Sequence, residues 1–410
     1  MDFRVIILLV LEAFFALWLL RCARLLDKPA YAAAAVILTA LAFFARYLVL
    51  DYETLDYQNF LSPWVQHFRA NGGFAALSEQ VGNYNIPYLY FLALFSYSGI
   101  SELYLIKLLS IFFDVILAWA AMLLLGHFTQ SAAKRMGLFF AVLFLPTVFL
   151  NGALWAQCDS SYVALALLGV YLALDDRPVL SMVCAAVAFG FKLQAVFVLP
   201  VYAVLWFKGK LKLRHFLVFP LAYVVLVLPA VIAGRPFIET LTLYFGQTGS
   251  IGDGLNYNSP SVYSLFEYSL PERYNGLAST LGIVAAFVYM LAVLALCFVK
   301  RRALTERTVL AAALLFAIGI PFLLPHMHER YFFAADILSL IVAFAAVEYF
   351  PAAALVQFAS LLGYHAYLKM RYLLLMSRGA AALIGALILA AVFFVRSFEK
   401  KFFRKRKNST

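Results

Sequence analysis

Residues 31–56 read YAAAAVILTALAFFARYLVLDYETLD. Twenty apolar-rich positions end at Leu50, and three carboxylates follow at once, on Asp51, Glu53 and Asp56. The apolar part is long enough to cross a bilayer as a helix. The acidic part then sits where hydrocarbon meets water. Reading outward, the same alternation of apolar block and polar boundary recurs along the whole chain.

The chain has 410 residues, 65% of them hydrophobic and 13% charged. A soluble globular domain has no use for that much apolar surface. The blocks fit helices better than the short alternating segments of a transmembrane barrel. The expected fold is therefore all-α and polytopic. About thirteen spans are expected, near 4–20, 31–50, 102–126, 136–153, 160–174, 178–190, 195–207, 215–233, 280–299, 308–324, 331–350, 351–363 and 374–396. The first block is not a cleaved signal, because its basic residues follow the apolar run and no small-residue cleavage site appears. Hydropathy shows no soluble domain, linker or duplicated half, so a single membrane domain is expected over 1–410. Residues 1–30 form an extra N-terminal span and loop.

The 32 Lys and Arg residues set the orientation. Most fall on one side, including Arg21, Arg24, Lys28, Lys208–Arg214, Arg301, Arg302 and the tail 397–410. That side is expected to be cytoplasmic, with the loops 51–101 and 234–279 facing outward across a plasma membrane. The net charge of +11 is then mainly a topology signal, though Lys400–Lys407 could touch anionic lipid head groups. Charges scattered along one membrane face do not suit nucleic acid. The four cysteines give neither a disulfide framework nor a metal spacing. The sequon at Asn408 falls in the cytoplasmic tail and carries no meaning there.

Phe60, Trp64 and Phe68 recur at one-faced helical spacing, and Gly72-Gly73 is a stop. This predicts an interfacial helix with Asp56 in its first turn. Ile86–Gly99 is short for a span and reads as re-entrant or interfacial.

Polar constellations mark the outward face. Asp51, Glu53 and Asp56 could accept a proton from a hydroxyl in a partly desolvated cleft. Alternatively they cap the helix. His326-Met-His328-Glu329-Arg330-Tyr331 could bind a phosphate, with Arg in a bidentate role. His-x-His could also ligate a metal, but a third ligand is not obvious. The passive alternative is a Glu329–Arg330 ion pair at a helix start. Lys192 and Gln194 interrupt the apolar stretch 178–206, so two half-spans would place Lys192 at the surface, where a cation can snorkel or pair with phosphate. Trp155-Ala-Gln157-Cys-Asp159 is an outer turn, in which Asp159 could contact a sugar hydroxyl or hold Lys192 or Arg330. Arg46 and Asp114 lie inside apolar runs and suggest an internal pair or a substrate contact. Asn256-Tyr-Asn-Ser-Pro, with its aromatic neighbours, suits sugar rings or an interfacial belt. No Walker, Rossmann or Ser-His-Asp pattern stands out.

In this order, the motifs resemble the GT-C class of membrane glycosyltransferases. The elements are Leu55-Asp56-Tyr57, Asn83-Tyr-Asn-Ile-Pro87-Tyr, Trp155-Ala-Gln-Cys-Asp159-Ser, Phe189-Gly-Phe-Lys192-Leu-Gln194 and His326-Met-His-Glu-Arg330-Tyr. They are most similar to prokaryotic relatives of the GPI-anchor mannosyltransferases. A weaker similarity is to the endoplasmic-reticulum glucosyltransferases that use dolichyl-phosphate-glucose. The resemblance covers about residues 45 to 340 and departs from the simpler layout by the first span. It implies a polyprenyl-phosphate-hexose donor, mannose favoured, and inverting transfer to an acceptor hydroxyl on a lipid-linked or glycan acceptor. Asp56 is then the base, with Asp51 beside it. His326, His328, Glu329, Arg330, Lys192, Gln194 and Asp159 face the donor. Glu53, Tyr57, Asn83 and Asn256 face the acceptor. No cofactor is demanded, and a divalent metal stays open. The competing expectations are a lipid or polysaccharide transporter, whose polar groups belong near the midplane, and a non-catalytic scaffold for polysaccharide assembly.

Overall fold

The computed structural model describes residues 2–246, 254–266 and 271–399. The basic tail at 400–407, the Asn408 sequon, and 247–253 and 267–270 of the loop expected to face outward lie outside the described residues. The described chain is mostly helical, and seven helices among the described residues are long and apolar enough to cross a membrane. They are Phe3–Cys22, Pro29–Tyr47, Glu102–Leu125, Leu213–Ile232, Glu272–Val299, Glu306–Leu323 and Met376–Arg396. Ala132–Leu143 with Pro146–Leu154, bent by 45°, forms an eighth if the pair is one broken span. Ile86–Phe95, Asp159–Leu174, Pro178–Phe191 and Phe333–Ala345 are shorter.

The apolar surface shows which helices meet lipid. Phe14, Trp18, Ile37, Leu41, Leu221, Val225, Phe287 and Val288 are all exposed. In water such faces would aggregate, whereas in hydrocarbon they cost nothing and every backbone bond closes within its own helix. Only 17% of the apolar window of Glu272–Val299 is buried, against 83% for Glu306–Leu323. The former lies on a lipid-facing surface and the latter is an interior helix. The protein is membrane-embedded.

The described residues fall into two compact units. The first holds residues up to Tyr171, Val179–Ala195 and those from Phe216 to 246. Its two N-terminal helices form a hairpin, and the first of them packs on Glu102–Leu125. Within this bundle Arg46 and Asp114 make the expected internal pair, with Nη2 to Oδ2 at 2.9 Å and both side chains sealed from solvent. Arg46 also donates to the Leu143 carbonyl, and Ser160 donates to Asp114 Oδ1 at 2.5 Å. Breaking one side of such a pair is expensive, so it fixes how these helices sit.

The helix expected at the interface opens at Leu55, passes through a π-helical turn at Tyr57–Leu61 and continues as Ser62–Ala70. Gly72, at φ +79°, stops it as expected. The expected aromatic face is different. Leu61, Val65 and Phe68 are buried, while Phe60 is 49% exposed. The π turn inserts an i→i+5 step and rotates the downstream face away from a simple 3.6-residue phase. Ile86–Phe95 has ten residues, with Asn85 capping its first N–H. The stretch 178–206 breaks as expected into Pro178–Phe191, a 3-10 turn at Leu193–Phe197, and Val201–Phe207.

The second unit holds 172–178, 196–215 and the described residues from 254 onward. Glu306–Leu323 lies at its centre against Asn275–Val299, Phe333–Ala345, Met376–Arg396 and Val201–Phe207. Thr305 and Thr308 close a reciprocal capping box at its start. The last expected short span is instead the 19-residue helix Phe350–Leu368. Among the described residues, one short strand pair departs from an all-α chain: Asn256–Tyr257 pairs in parallel with Met327–His328.

Candidate functional site

The first unit gathers polar groups around Asp56. Its Oδ2 accepts from the indole N–H of Trp155 at 2.9 Å and from Nε2 of Gln157 at 2.8 Å. Asp56 is half-buried, Trp155 fully buried and Gln157 nearly so. Two donors on one carboxylate oxygen fix the plane of the carboxylate. The carboxylate does not cap its own helix. Backbone geometry supports this contact from both sides. A π turn at Tyr57–Leu61 follows Asp56, and a second, Leu150–Leu154, precedes Trp155. Ala156 has φ +66°, a left-handed value costly for a residue with a Cβ. Thr54 Oγ1 donates to the Trp155 carbonyl at 3.1 Å and so ties the two segments together. Single π turns and strained residues concentrate at functional positions.

Beside this centre, Lys192 Nζ contacts Asp159 Oδ1 at 2.6 Å, and both side chains are buried. Asn151 donates to Asp159 Oδ2 at 2.7 Å and accepts from the Asp159 N–H at 3.2 Å. The Tyr84 hydroxyl donates to Gln157 Oε1 at 3.1 Å, and Lys192 Nζ stands 5.7 Å from the Tyr84 ring centroid. Tyr84 also packs edge-on against Trp64 and Tyr88. Gly82 is obligatory at this crossing. Its φ is +65°, and a Cβ there would collide with the Trp64 indole. The result is a carboxylate, an ion pair, two amides and several aromatic faces in one unit, a mixture suited to a polyhydroxylated, part-charged ligand.

The other acidic residues have local partners. The Tyr104 hydroxyl donates to Asp51 at 2.5 Å, and Gln58 donates to Glu53 at 2.9 Å. Lys107 donates to the carbonyls of Val49, Leu50 and Tyr52 and so pins the end of the preceding helix. Tyr57 is buried, and burial pushes its phenol above the ordinary range. Gln194 is half-buried, with an Oε1 that has no hydrogen-bond partner among the described residues. Asn83 is exposed, whereas Asn85 two positions on is fully buried and donates to the Tyr223 hydroxyl at 2.8 Å.

The second unit carries the histidine–arginine cluster. His328 stacks on Tyr257 with ring centroids 4.8 Å apart and planes 14° off parallel. The short strand pair sets that stacking by placing Tyr257 opposite His328. His326, at φ +61°, contacts the Gly254 carbonyl through Nδ1 at 2.7 Å and Ser279 through Nε2 at 3.3 Å. Both of its ring nitrogens therefore serve the local fold. Glu329 is buried and pairs with Arg330 at 2.8 Å, with His328 Nδ1 at 3.8 Å. That pairing holds the guanidinium plane, which carries five donors in all. Gly363 permits the close approach of Phe350–Leu368, since a Cβ there would meet the carbonyls of Asn258 and Glu329 at 2.9 Å. Asn256 closes its own turn, donating to the Ser259 carbonyl and accepting from Ser261. Among the described residues, no group of three or more His, Cys, Asp or Glu could hold a metal ion.

Of the site residues expected from the sequence, Asp56, Lys192 and Asp159 fall in one network. His328, Glu329 and Arg330 fall in another. Trp155, Gln157, Tyr84 and Asn151 complete the first network but were not among the expected ligand-facing residues. Trp155 and Gln157 lie in a turn whose polarity was visible, but nothing local says which carboxylate they reach. No protein-family model matches the chain, and no curated protein matches it.

Proposed function

We propose that this protein is a membrane glycosyltransferase of GT-C type. It moves a hexose, mannose favoured, from a polyprenyl-phosphate donor to an acceptor hydroxyl with inversion. The observation that carries the reading is the half-buried Asp56 carboxylate, oriented by Trp155 and Gln157. In this reading Asp56 takes the acceptor proton as the hydroxyl attacks the anomeric carbon. The anomeric C–O bond to phosphate breaks, and polyprenyl phosphate leaves. A cation stabilises the leaving phosphate, and Lys192 is the one that lies in the same unit as Asp56. The lipid-facing helices would receive the isoprenoid tail. The proposed setting is a plasma membrane with the Asp56 face outward and the C-terminus cytoplasmic. Thirteen crossings would require the shorter helices to traverse the bilayer as pairs or in tilted form.

The test is to incubate purified protein with polyprenyl-phosphate-mannose or its glucose analogue and measure free polyprenyl phosphate. Release that disappears in Asp56→Asn supports the reading, and no release from either donor sinks it. A second reading, a lipid or polysaccharide carrier, is favoured by the Arg46–Asp114 pair inside the spans. It predicts movement of an intact lipid-linked sugar across proteoliposomes without cleavage.

A further inference from the structure

Asp56 belongs to a longer chain of hydrogen bonds that leaves the site. Arg235 is a buried guanidinium just beyond the Leu213–Ile232 helix. Burial away from water lowers its pKa, and the nearby Glu239 opposes that effect. It donates to the Glu79 carbonyl at 3.3 Å and to the Gln80 side-chain oxygen. The amide nitrogen of Gln80 donates to the carbonyls of Gly82 at 2.6 Å and Tyr84 at 3.4 Å. These bonds shape the loop 79–84, which Gly82 lets lie flat on Trp64. Tyr84 ends that loop, and its hydroxyl reaches Gln157 Oε1, whose Nε2 reaches Asp56.

We infer that Arg235 is a positioning residue for Asp56, acting through Gln80, Tyr84 and Gln157. The inference rests on reading Asp56 as the working carboxylate. The decisive link is the Gln157 amide. Its two ends are nearly equal in shape, so the hydrogen-bond network alone decides which faces Asp56. Asp56, which only accepts, selects the N–H end of that amide, and the Tyr84 hydroxyl donating to Oε1 anchors its other end. Without that anchor the amide is held from one side and its N–H can swing off the carboxylate. The movement lengthens or breaks one charge-assisted hydrogen bond. Arg235 lies two side chains further out and sets the height of Tyr84 over Gln157. It touches neither substrate nor Asp56.

The test uses the full-length protein in detergent. Asp56 is modified with a water-soluble carbodiimide and an amine across a pH series, and its labelling is read by peptide mass spectrometry. Carbodiimide reacts with the protonated carboxyl, so the pH midpoint of labelling reports how well the carboxylate is held. Tyr84→Phe is expected to raise the midpoint, because it removes the anchor of the amide that donates to Asp56. Arg235→Ala should raise it in the same direction, and Arg235→Lys should return it toward the wild-type value. The Arg235→Ala/Tyr84→Phe double variant should shift no further than Tyr84→Phe alone, because both act on one link. Gln80→Met, at an exposed position, interrupts the same relay if Arg235→Ala does not fold, and should also raise the midpoint. An unchanged midpoint in folded Arg235→Ala or Gln80→Met, or shifts that add in the double variant, would overturn the inference. Labelling needs no substrate, so its result stands apart from the donor assay. A wild-type protein that releases no polyprenyl phosphate counts against the functional reading alone.

Discussion

Removing the carboxylate of Asp159 should destabilise the protein through the lysine it leaves behind. Asp159 and Lys192 are 1% and 7% exposed and stand 2.6 Å apart. At that distance two unit charges attract by about 6 kcal/mol at an effective dielectric of about 20. Taking each ion out of water costs several kcal/mol, so the intact pair is near neutral in net energy. The asymmetry appears when one member is lost. Asp159→Ala strands a buried ammonium at about 3–5 kcal/mol. It also leaves the Asn151 amide, now bonded at 2.7 Å, without its acceptor, adding about 1 kcal/mol or more. The expected loss is thus about 4–6 kcal/mol. Lys192→Met in the same chain removes the stranded charge and should recover about 3 kcal/mol of that loss. Equilibrium unfolding in mixed micelles of the two single variants and the double measures the coupling. Strictly additive losses, or an Asp159→Ala cost below about 1 kcal/mol, would refute the reasoning, because an ion pair this buried cannot lose one partner cheaply.

Asp56→Asn keeps shape and should leave the melting temperature close to wild type. Release of polyprenyl phosphate should fall by about 10²–10⁴-fold, as for loss of a general base; full activity in a folded variant removes Asp56 from that role. Tyr88 is 1% exposed, and its hydroxyl has no partner among the described residues. Tyr88→Phe should therefore melt at or above the wild-type temperature, since deleting a buried orphan relieves a desolvation cost; a clear drop would show that the hydroxyl is bonded. Burial pushes the Tyr263 phenol up to about 12. Its folded pKa lies above the unfolded value near 10, so the stability it supplies is complete below about pH 10 and is lost as pH rises toward 12. Alkaline unfolding followed with Tyr263→Phe should lose that component, and identical profiles would show that the phenol does not contribute.

The sequence made the scaffold legible wherever a block of apolar residues was long. The Glu102–Leu125 helix, the break at Lys192 and the internal Arg46–Asp114 partnership all follow from the cost of charge in hydrocarbon. The site was legible as polar turns and not as contacts. Asp56 and Trp155 are 99 positions apart, and no periodicity encodes a partner at that distance. Asn83 and Asn85 differ by one strand-like step, yet only Asn85 is buried. Either could have faced inward, because the Pro87 helix start sets the phase. The π turns at Tyr57–Leu61 and Leu150–Leu154 have no compositional signature, which is why the expected Phe60–Trp64–Phe68 face came out rotated. Two-residue strands such as Asn256–Tyr257 are too short to show alternation.

Ala156 shows why the turn before Asp159 is built under strain. Its φ of +66° is held by backbone bonds on either side: Trp155 N–H to the Leu150 carbonyl at 2.9 Å, Ala156 N–H to Gly152 at 3.1 Å and Gln157 N–H to Asn151 at 2.8 Å. The left-handed conformation lets two residues that flank a single position send both side chains to one oxygen of Asp56. An extended or right-handed Ala156 would change the relative directions of Trp155 and Gln157. Ala156→Gly isolates this point. Glycine relieves about 1–2 kcal/mol of left-handed strain. It gives back about 0.4–1 kcal/mol through a freer unfolded chain. Losing a buried methyl costs about 0.8 kcal/mol more. The three terms nearly cancel, so the unfolding midpoint should hardly move. What changes is the width of the backbone well that aims Trp155 and Gln157, and the carbodiimide midpoint of Asp56 should rise while stability stays level. A midpoint that does not move would mean that the side chains are aimed by their own packing and that the strain at Ala156 has no part in holding the carboxylate.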